Sequence, residues 1–108
     1  MLREILRSNL DELLLSIEKI GRSFEIVKNK TVEAADIREI KRLIHSLKGN
    51  LQSIGMHDEA SAAIELEEDI FQFLNRAGDQ SIYIDKEHVD RWFTRLNAIE
   101  FSLTGYLF

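Results

Sequence analysis

The residues around one histidine suit it to carry a covalently attached group. His45 is followed three and four residues later by Lys48 and Gly49, in the segment His-Ser-Leu-Lys-Gly. On an α-helix these offsets place the three residues on one face. A neutral imidazole nitrogen is a nucleophile, and an ammonium group one turn away is a suitable point charge for phosphate oxygens. The spacing therefore lets Lys48 reach toward a group attached to His45, and its charge suits an anionic group.

Gly49 is an unusual choice at its position, because an exposed helical glycine costs about 1 kcal/mol of stability relative to alanine. A missing side chain one turn from His45 leaves one flank of the imidazole bare. A partner's backbone or active-site rim could then approach the ring closely. We therefore interpret Gly49 as a clearance residue for a docking protein.

The helix that contains His45 separates into a polar and an apolar face. With about 100° of rotation per residue, the polar side chains and the glycine fall within about 60° of His45. These residues are Arg38, Lys41, Lys48, Gly49 and Gln52. The apolar residues Ile40, Leu43, Leu47, Leu51 and Ile54 lie on the other side.

This arrangement predicts that His45 faces solvent and that Arg38 and Lys41 extend a positive patch around it. In a chain of net charge −5, such a patch is a local docking surface for a partner whose active site is anionic.

Apolar residues recur at three- and four-residue steps along most of the chain, which is the period of amphipathic helices. The short links between the periodic segments imply an all-α, antiparallel four-helix bundle. The predicted helices span residues 3–28, 37–54, 57–76 and 86–105.

Several helix ends have recognisable signals. Asp36 and Glu39 have the spacing of a capping box at the start of the second helix. Gly55 suits the left-handed position that ends that helix, and Asp85 is the expected N-cap of the fourth. Residues 81–84 are too few to found a sheet, so helices are expected to make up the whole architecture.

Composition bounds the class of protein. A chain of 108 residues with 44% hydrophobic and 31% charged residues is expected to form a single folded domain, residues 1–108. The negative net charge argues against a nucleic-acid partner, and the N-terminus lacks the apolar run of a membrane-inserted or exported segment. The sequence contains no cysteine, which fits a reducing compartment, and a cytoplasmic location is expected.

The segment around His45 resembles the histidine-containing phosphotransfer domain family, whose motif is a histidine, two residues and then Lys-Gly. The motif is present as His45-Ser-Leu-Lys48-Gly49, and the resemblance continues through Asn50-Leu-Gln-Ser-Ile-Gly55 and the later pair Leu66-Glu67. It covers residues 38–70 well. Glu59 departs from the family pattern, which has an apolar residue at that position more often.

The resemblance implies reversible transfer of a phosphoryl group between His45 and the aspartate of a response-regulator receiver domain. The partner is then the receiver, with a hybrid sensor histidine kinase as a further candidate, and a monomer is sufficient. Such a domain is a phosphotransfer protein and not an autonomous kinase. The sequence accordingly lacks the glycine-rich motifs of an ATP site.

The resemblance also distributes roles among the residues of the polar face. His45 is the phosphorylated nucleophile, Lys48 stabilises the phosphate, Gly49 provides clearance and Gln52 adds a hydrogen bond. The partner-binding surface is expected to comprise Arg38, Lys41 and Met56. No metal site is expected in this chain, and Mg²⁺ is expected to come from the receiver.

Two alternatives remain open from the sequence. The chain could be the phosphate-accepting domain of a chemotaxis-type histidine kinase, or a non-catalytic bundle that binds a receiver or a kinase.

The other titratable residues are interpreted without a catalytic role. His57 and His88 are expected at the surface or at helix caps, and the acidic run Glu65, Glu67, Glu68 and Asp69 is expected to be a solvated helix face.

Overall fold

The chain folds as a four-helix bundle with one short sheet, as seen in a computed structural model that describes residues 2–78 and 80–106, with side chains from residue 8 onward. The elements in chain order are α1 (Leu2–Val27), β1 (Lys30–Val32), α2 (Ala34–Ser53), α3 (His57–Ala77), β2 (Ile82–Ile84) and α4 (Lys86–Thr104). The predicted all-α bundle is confirmed. Of the predicted domain span 1–108, Met1, Asp79, Leu107 and Phe108 lie outside the described residues.

The helices bury their apolar stripes in one continuous core. The four helices pack in a ring in which α1 contacts α2 and α4, while α3 contacts the same two helices. α2 contributes its apolar face to this core, including Ile44, Leu47 and Leu51, each with no exposed surface. Because that face is turned inward, the opposite face of α2 is held toward solvent.

The expectation that helices make up the whole architecture was wrong. β1 and β2 pair antiparallel, with Thr31 opposite Tyr83 and Lys30 opposite Ile84. Ile82 and Ile84 are buried against the bundle while Tyr83 points outward, the alternation of a strand with one covered face. Burying these two side chains brings both linkers together, and pairing satisfies backbone groups that would otherwise lack partners.

α2 begins at Ala34 and not at residue 37, so the predicted capping box was wrong. The N-cap residue is Glu33, whose side chain makes no capping hydrogen bond. Instead of capping, the Glu39 side chain accepts a hydrogen bond from Arg42 Nε at 3.0 Å. Ala34 is buried in the core, and packing of this first turn extends the helix by three residues beyond its sequence signal.

Two other predicted helix ends are confirmed, and one of them sets the pairing of α2 with α3. Gly55 has a φ of 79°, so it reverses the chain in a link of only three residues, 54–56, between the two helices. At the start of α4, Asp85 is the N-cap and its carboxylate accepts a hydrogen bond from the backbone N–H of His88 at 2.9 Å. No helix among the described residues is long and apolar enough to cross a membrane.

Candidate functional site

His45 stands on the outer face of α2, as the helical rotation predicts. Its side chain is 64% exposed, while the neighbouring Ile44 and Leu47 are fully buried. The buried pair fixes the rotation of the helix, and the imidazole is therefore displayed to solvent by a rigid element.

A carboxylate from the next helix holds the imidazole. Glu67 on α3 places Oε2 at 2.8 Å from His45 Nδ1, and its side chain is only 16% exposed. The prediction that the whole acidic run is a solvated helix face was therefore wrong for Glu67. Its helix rotation turns it toward α2, so it packs between the helices.

The contact with Glu67 assigns the tautomer of the neutral ring. An ionised carboxylate only accepts hydrogen bonds, so the proton of a neutral His45 sits on Nδ1 and is donated to Glu67. The lone pair then belongs to Nε2, which is the ring nitrogen farther from Glu67. The arrangement leaves a nucleophilic nitrogen available to an incoming electrophile.

Lys48 lies against both members of this pair. Its Nζ is 3.4 Å from Glu67 Oε1 and 3.2 Å from His45 Nδ1. Because Nδ1–H already donates to the carboxylate, Lys48 Nζ and His45 Nδ1 are two donors that share Glu67 as their acceptor. Of the two Lys48 contacts, only the one with Glu67 is therefore favourable. Glu67 thus tethers an ammonium group beside the imidazole.

Gly49 and Gln52 occupy the exposed face of α2 beyond the imidazole. A Cβ atom built on Gly49 would meet nothing within 4 Å, so the space over that position is open, and its clearance role stays a prediction. Gln52 makes no hydrogen bond to His45 or Lys48 among the described residues. It lies about 10 Å along the helix axis from His45, so the structure does not bring it to the imidazole.

The predicted positive patch borders the other side of His45. A shallow groove of about 380 Å³ is lined by Arg38, Lys41, Arg42 and His45. Arg42 was not predicted as part of the patch, although it lies three residues before His45 on the same face. Its guanidinium donates to Glu39, and this hydrogen bond lowers the pKa of the Glu39 carboxyl.

Met56 was wrongly assigned to the docking surface. Its side chain is only 7% exposed and belongs to the hydrophobic core. The left-handed turn at Gly55 folds the chain back over the bundle, and the Met56 backbone N–H donates to the Leu51 carbonyl at 3.0 Å. The same turn carries the Met56 side chain inward.

The remaining histidines lie apart from this site. His57 is exposed in the first turn of α3, and His88 contacts the α4 N-cap, with Nδ1 at 2.7 Å from Asp85 Oδ1. These positions agree with the surface and capping interpretations. Among the described residues, no group of three or more histidine or acidic side chains is placed to hold a metal ion.

The fold and the site together define a class of protein: a helical-bundle domain that displays one oriented histidine, flanked by a lysine and an open glycine position. The chain matches the family model described as Hpt domain over residues 1–100, and it belongs to that family. Its function is accordingly histidine phosphotransfer in two-component signalling, in which Hpt domains interact with response-regulator receivers. Searches of curated proteins and of solved structures find no match to the chain.

Proposed function

We propose that His45 is the phosphorylated residue, and that it accepts a phosphoryl group through Nε2 from the aspartyl phosphate of a receiver domain and returns it. The observation that carries this proposal is the 2.8 Å contact between His45 Nδ1 and Glu67 Oε2. It supports Nε2 as the nucleophile, because the carboxylate keeps the proton on the other nitrogen. All three residues of the arrangement come from one chain, so a monomer is sufficient.

The proposed step is an in-line displacement at phosphorus. The Nε2 lone pair forms the N–P bond while the bond between phosphorus and the aspartyl oxygen breaks, and the receiver's aspartate leaves as a carboxylate. Positive charge that develops on the ring is offset by Glu67 through the Nδ1–H hydrogen bond. Lys48 is close enough to turn its ammonium group toward the phosphoryl oxygens, and Mg²⁺ is supplied by the receiver in this proposal.

The test is intact-mass analysis after incubation with receiver domains charged by acetyl phosphate. Wild type is expected to gain one acid-labile phosphoryl group, and His45→Gln is expected to gain none. His57→Gln is the matched control, because it removes another exposed histidine and is expected to be phosphorylated like the wild type. Phosphate on His45→Gln would contradict the assignment.

The same assay separates the alternatives. Transfer to the wild type from an ATP-binding kinase domain, but from no receiver, would identify a phosphate-accepting domain of the chemotaxis-kinase type. Binding to the charged receiver with no transfer of phosphate to the wild type from either donor would identify a non-catalytic bundle. The proposed cytoplasmic location is tested separately, by imaging the full protein as a fluorescent fusion in its source cells.

A further inference from the structure

A pocket of about 290 Å³ opens between α2 and α3, beside the groove that borders His45. Its lining residues are Arg38, Lys41, Phe71, Leu74, Asn75 and Gly78. The phosphotransfer step described above uses none of the α3 residues in this set. The pocket is therefore a separate feature of the surface that faces an incoming partner.

The antiparallel register of α2 and α3 places this pocket close to His45. His45 contacts Glu67, and Lys41, four residues earlier on α2, contacts Phe71, four residues later on α3. Four residues correspond to about 6 Å along a helix axis. Arg38 and Lys41 line both the pocket and the groove at His45, so a protein that covers the imidazole also extends over the pocket.

The pocket combines an apolar wall with a positive charge. Phe71 is 42% exposed, and Lys41 Nζ lies 5.4 Å from the centroid of its ring, within the range of a cation–π contact. Exposed aromatic rings beside a groove are frequent anchors of protein interfaces.

Among the described residues, two other cations on the histidine-bearing face of α2 are paired with carboxylates, whereas Lys41 is not. Arg42 is paired with Glu39, and Lys48 is paired with Glu67. Within the described part of the chain, no carboxylate lies within 4 Å of Lys41 Nζ. Its charge is therefore left for a carboxylate that a partner brings.

We propose that the Phe71 pocket is a second contact site for the receiver domain and selects among receivers. The matching receiver presents an apolar side chain that packs on Phe71 and Leu74, next to a carboxylate that pairs with Lys41. This inference rests on the proposed function, because it takes the protein docked at His45 to be a receiver. It adds a contact about one helical turn from the chemistry that determines which receiver binds.

The experiment uses the receiver domain that, charged with acetyl phosphate, phosphorylates the wild type. Phe71→Ala and Lys41→Ala are expected to raise the KM for that phosphorylated receiver about tenfold and about threefold, respectively. The kcat is expected to stay within about twofold, because His45, Glu67 and Lys48 are unchanged. Phe101→Ala is the matched control, since Phe101 is an 81% exposed aromatic on α4 and its removal is expected to leave both constants unchanged.

A second measurement leaves Phe71 and Lys41 unchanged, so its result does not depend on whether the two alanine variants fold. Adding the unphosphorylated receiver to His45→Gln is expected to shift the amide resonances of Leu74 and Asn75 together with those around residue 45. Shifts confined to the vicinity of residue 45, or an unchanged KM in both folded variants, would overturn the pocket while leaving the phosphotransfer assignment standing. Absence of transfer from every receiver to the wild type would overturn both.

Discussion

Glu67 fixes the orientation of the His45 ring and the nitrogen that carries its proton, and both affect how a partner meets the imidazole. Glu67→Ala removes both effects, and Glu67→Gln keeps an acceptor but loses the negative charge. At saturating phosphorylated receiver we expect the transfer rate to fall by about tenfold or more in Glu67→Ala and by less in Glu67→Gln. Single-turnover transfer kinetics measure this order, and Glu68→Ala on the exposed face of α3 is the control. Equal transfer rates in the wild type, Glu67→Ala and Glu67→Gln would show that Glu67 has no part in the mechanism.

Gly49 separates the requirements of the fold from those of docking. Because its Cβ position is open, Gly49→Ala is expected to raise the free energy of unfolding by about 1 kcal/mol through helix propensity. Gly49→Lys is expected to fold equally well but to transfer phosphate at least about tenfold more slowly, since a long side chain then stands in the path of the partner. Chemical denaturation and transfer assays measure the two effects. Normal transfer by Gly49→Lys would contradict the clearance role.

For individual residues, the sequence predicts positions that follow from rotation about one helix axis, but it does not predict contacts between residues of two helices. The exposure of His45 and the alignment of Lys48 and Gly49 follow from rotation about one helix axis. The contact with Glu67 depends on the register between α2 and α3, which no periodicity within either helix specifies. The short link around Gly55 was the available signal, because it makes the helices adjacent and antiparallel.

The start of α4 shows how one capping side chain makes stability depend on pH. Hydrogen bonds from the His88 backbone and ring lower the pKa of the Asp85 carboxyl below its ordinary value of 3.8. A lowered pKa in the folded state means that the ionised form contributes stability above the unfolded pKa, and that this contribution is lost as the pH falls through the folded pKa. Asp85→Ala is therefore expected to lower the Tm at pH 7, and by less at pH values below about 3.

Thermal unfolding of the two proteins across that pH range measures the difference. Asp11→Ala, an exposed acidic position in the middle of α1, is the control and is expected to leave the Tm nearly unchanged. A Tm deficit of Asp85→Ala that stays constant from pH 7 to below about 3 would show that ionisation of the cap does not matter.

Elements that rest on local signals were predicted well, and those that rest on packing were not. Asp85 and Gly55 act through their own backbone neighbourhood, and both were identified from the sequence. The first turn of α2 depends on burial of Ala34, and the strands depend on burial of Ile82 and Ile84. Both are consequences of contacts between segments distant in sequence, which periodicity within one segment does not contain.

The whole molecule is acidic, with a net charge of −5, yet Arg38, Lys41 and Arg42 lie around His45, the histidine proposed to react. This asymmetry favours approach of an acidic receiver surface by the α2–α3 face, and attraction between exposed charges is screened by salt. Raising NaCl from about 0.05 M to about 0.5 M is expected to increase the KM for the phosphorylated receiver several-fold with little change in kcat. The increase is expected to be smaller in Lys41→Ala. A KM independent of salt would show that the positive face does not guide docking.

The three-residue link between α2 and α3 has a consequence for how the site assembles during folding. His45 and Glu67, the pair proposed to carry the chemistry, are separated by only 22 positions along the chain, so bringing the two together closes a small loop at low entropic cost. The core needs α1 and α4 as well, but the geometry of the reactive pair is encoded within one helical hairpin. The proposed chemistry thus depends on a contact between residues that are close in sequence, which corresponds to a low contact order. The remaining helices, α1 and α4, supply stability by completing the core.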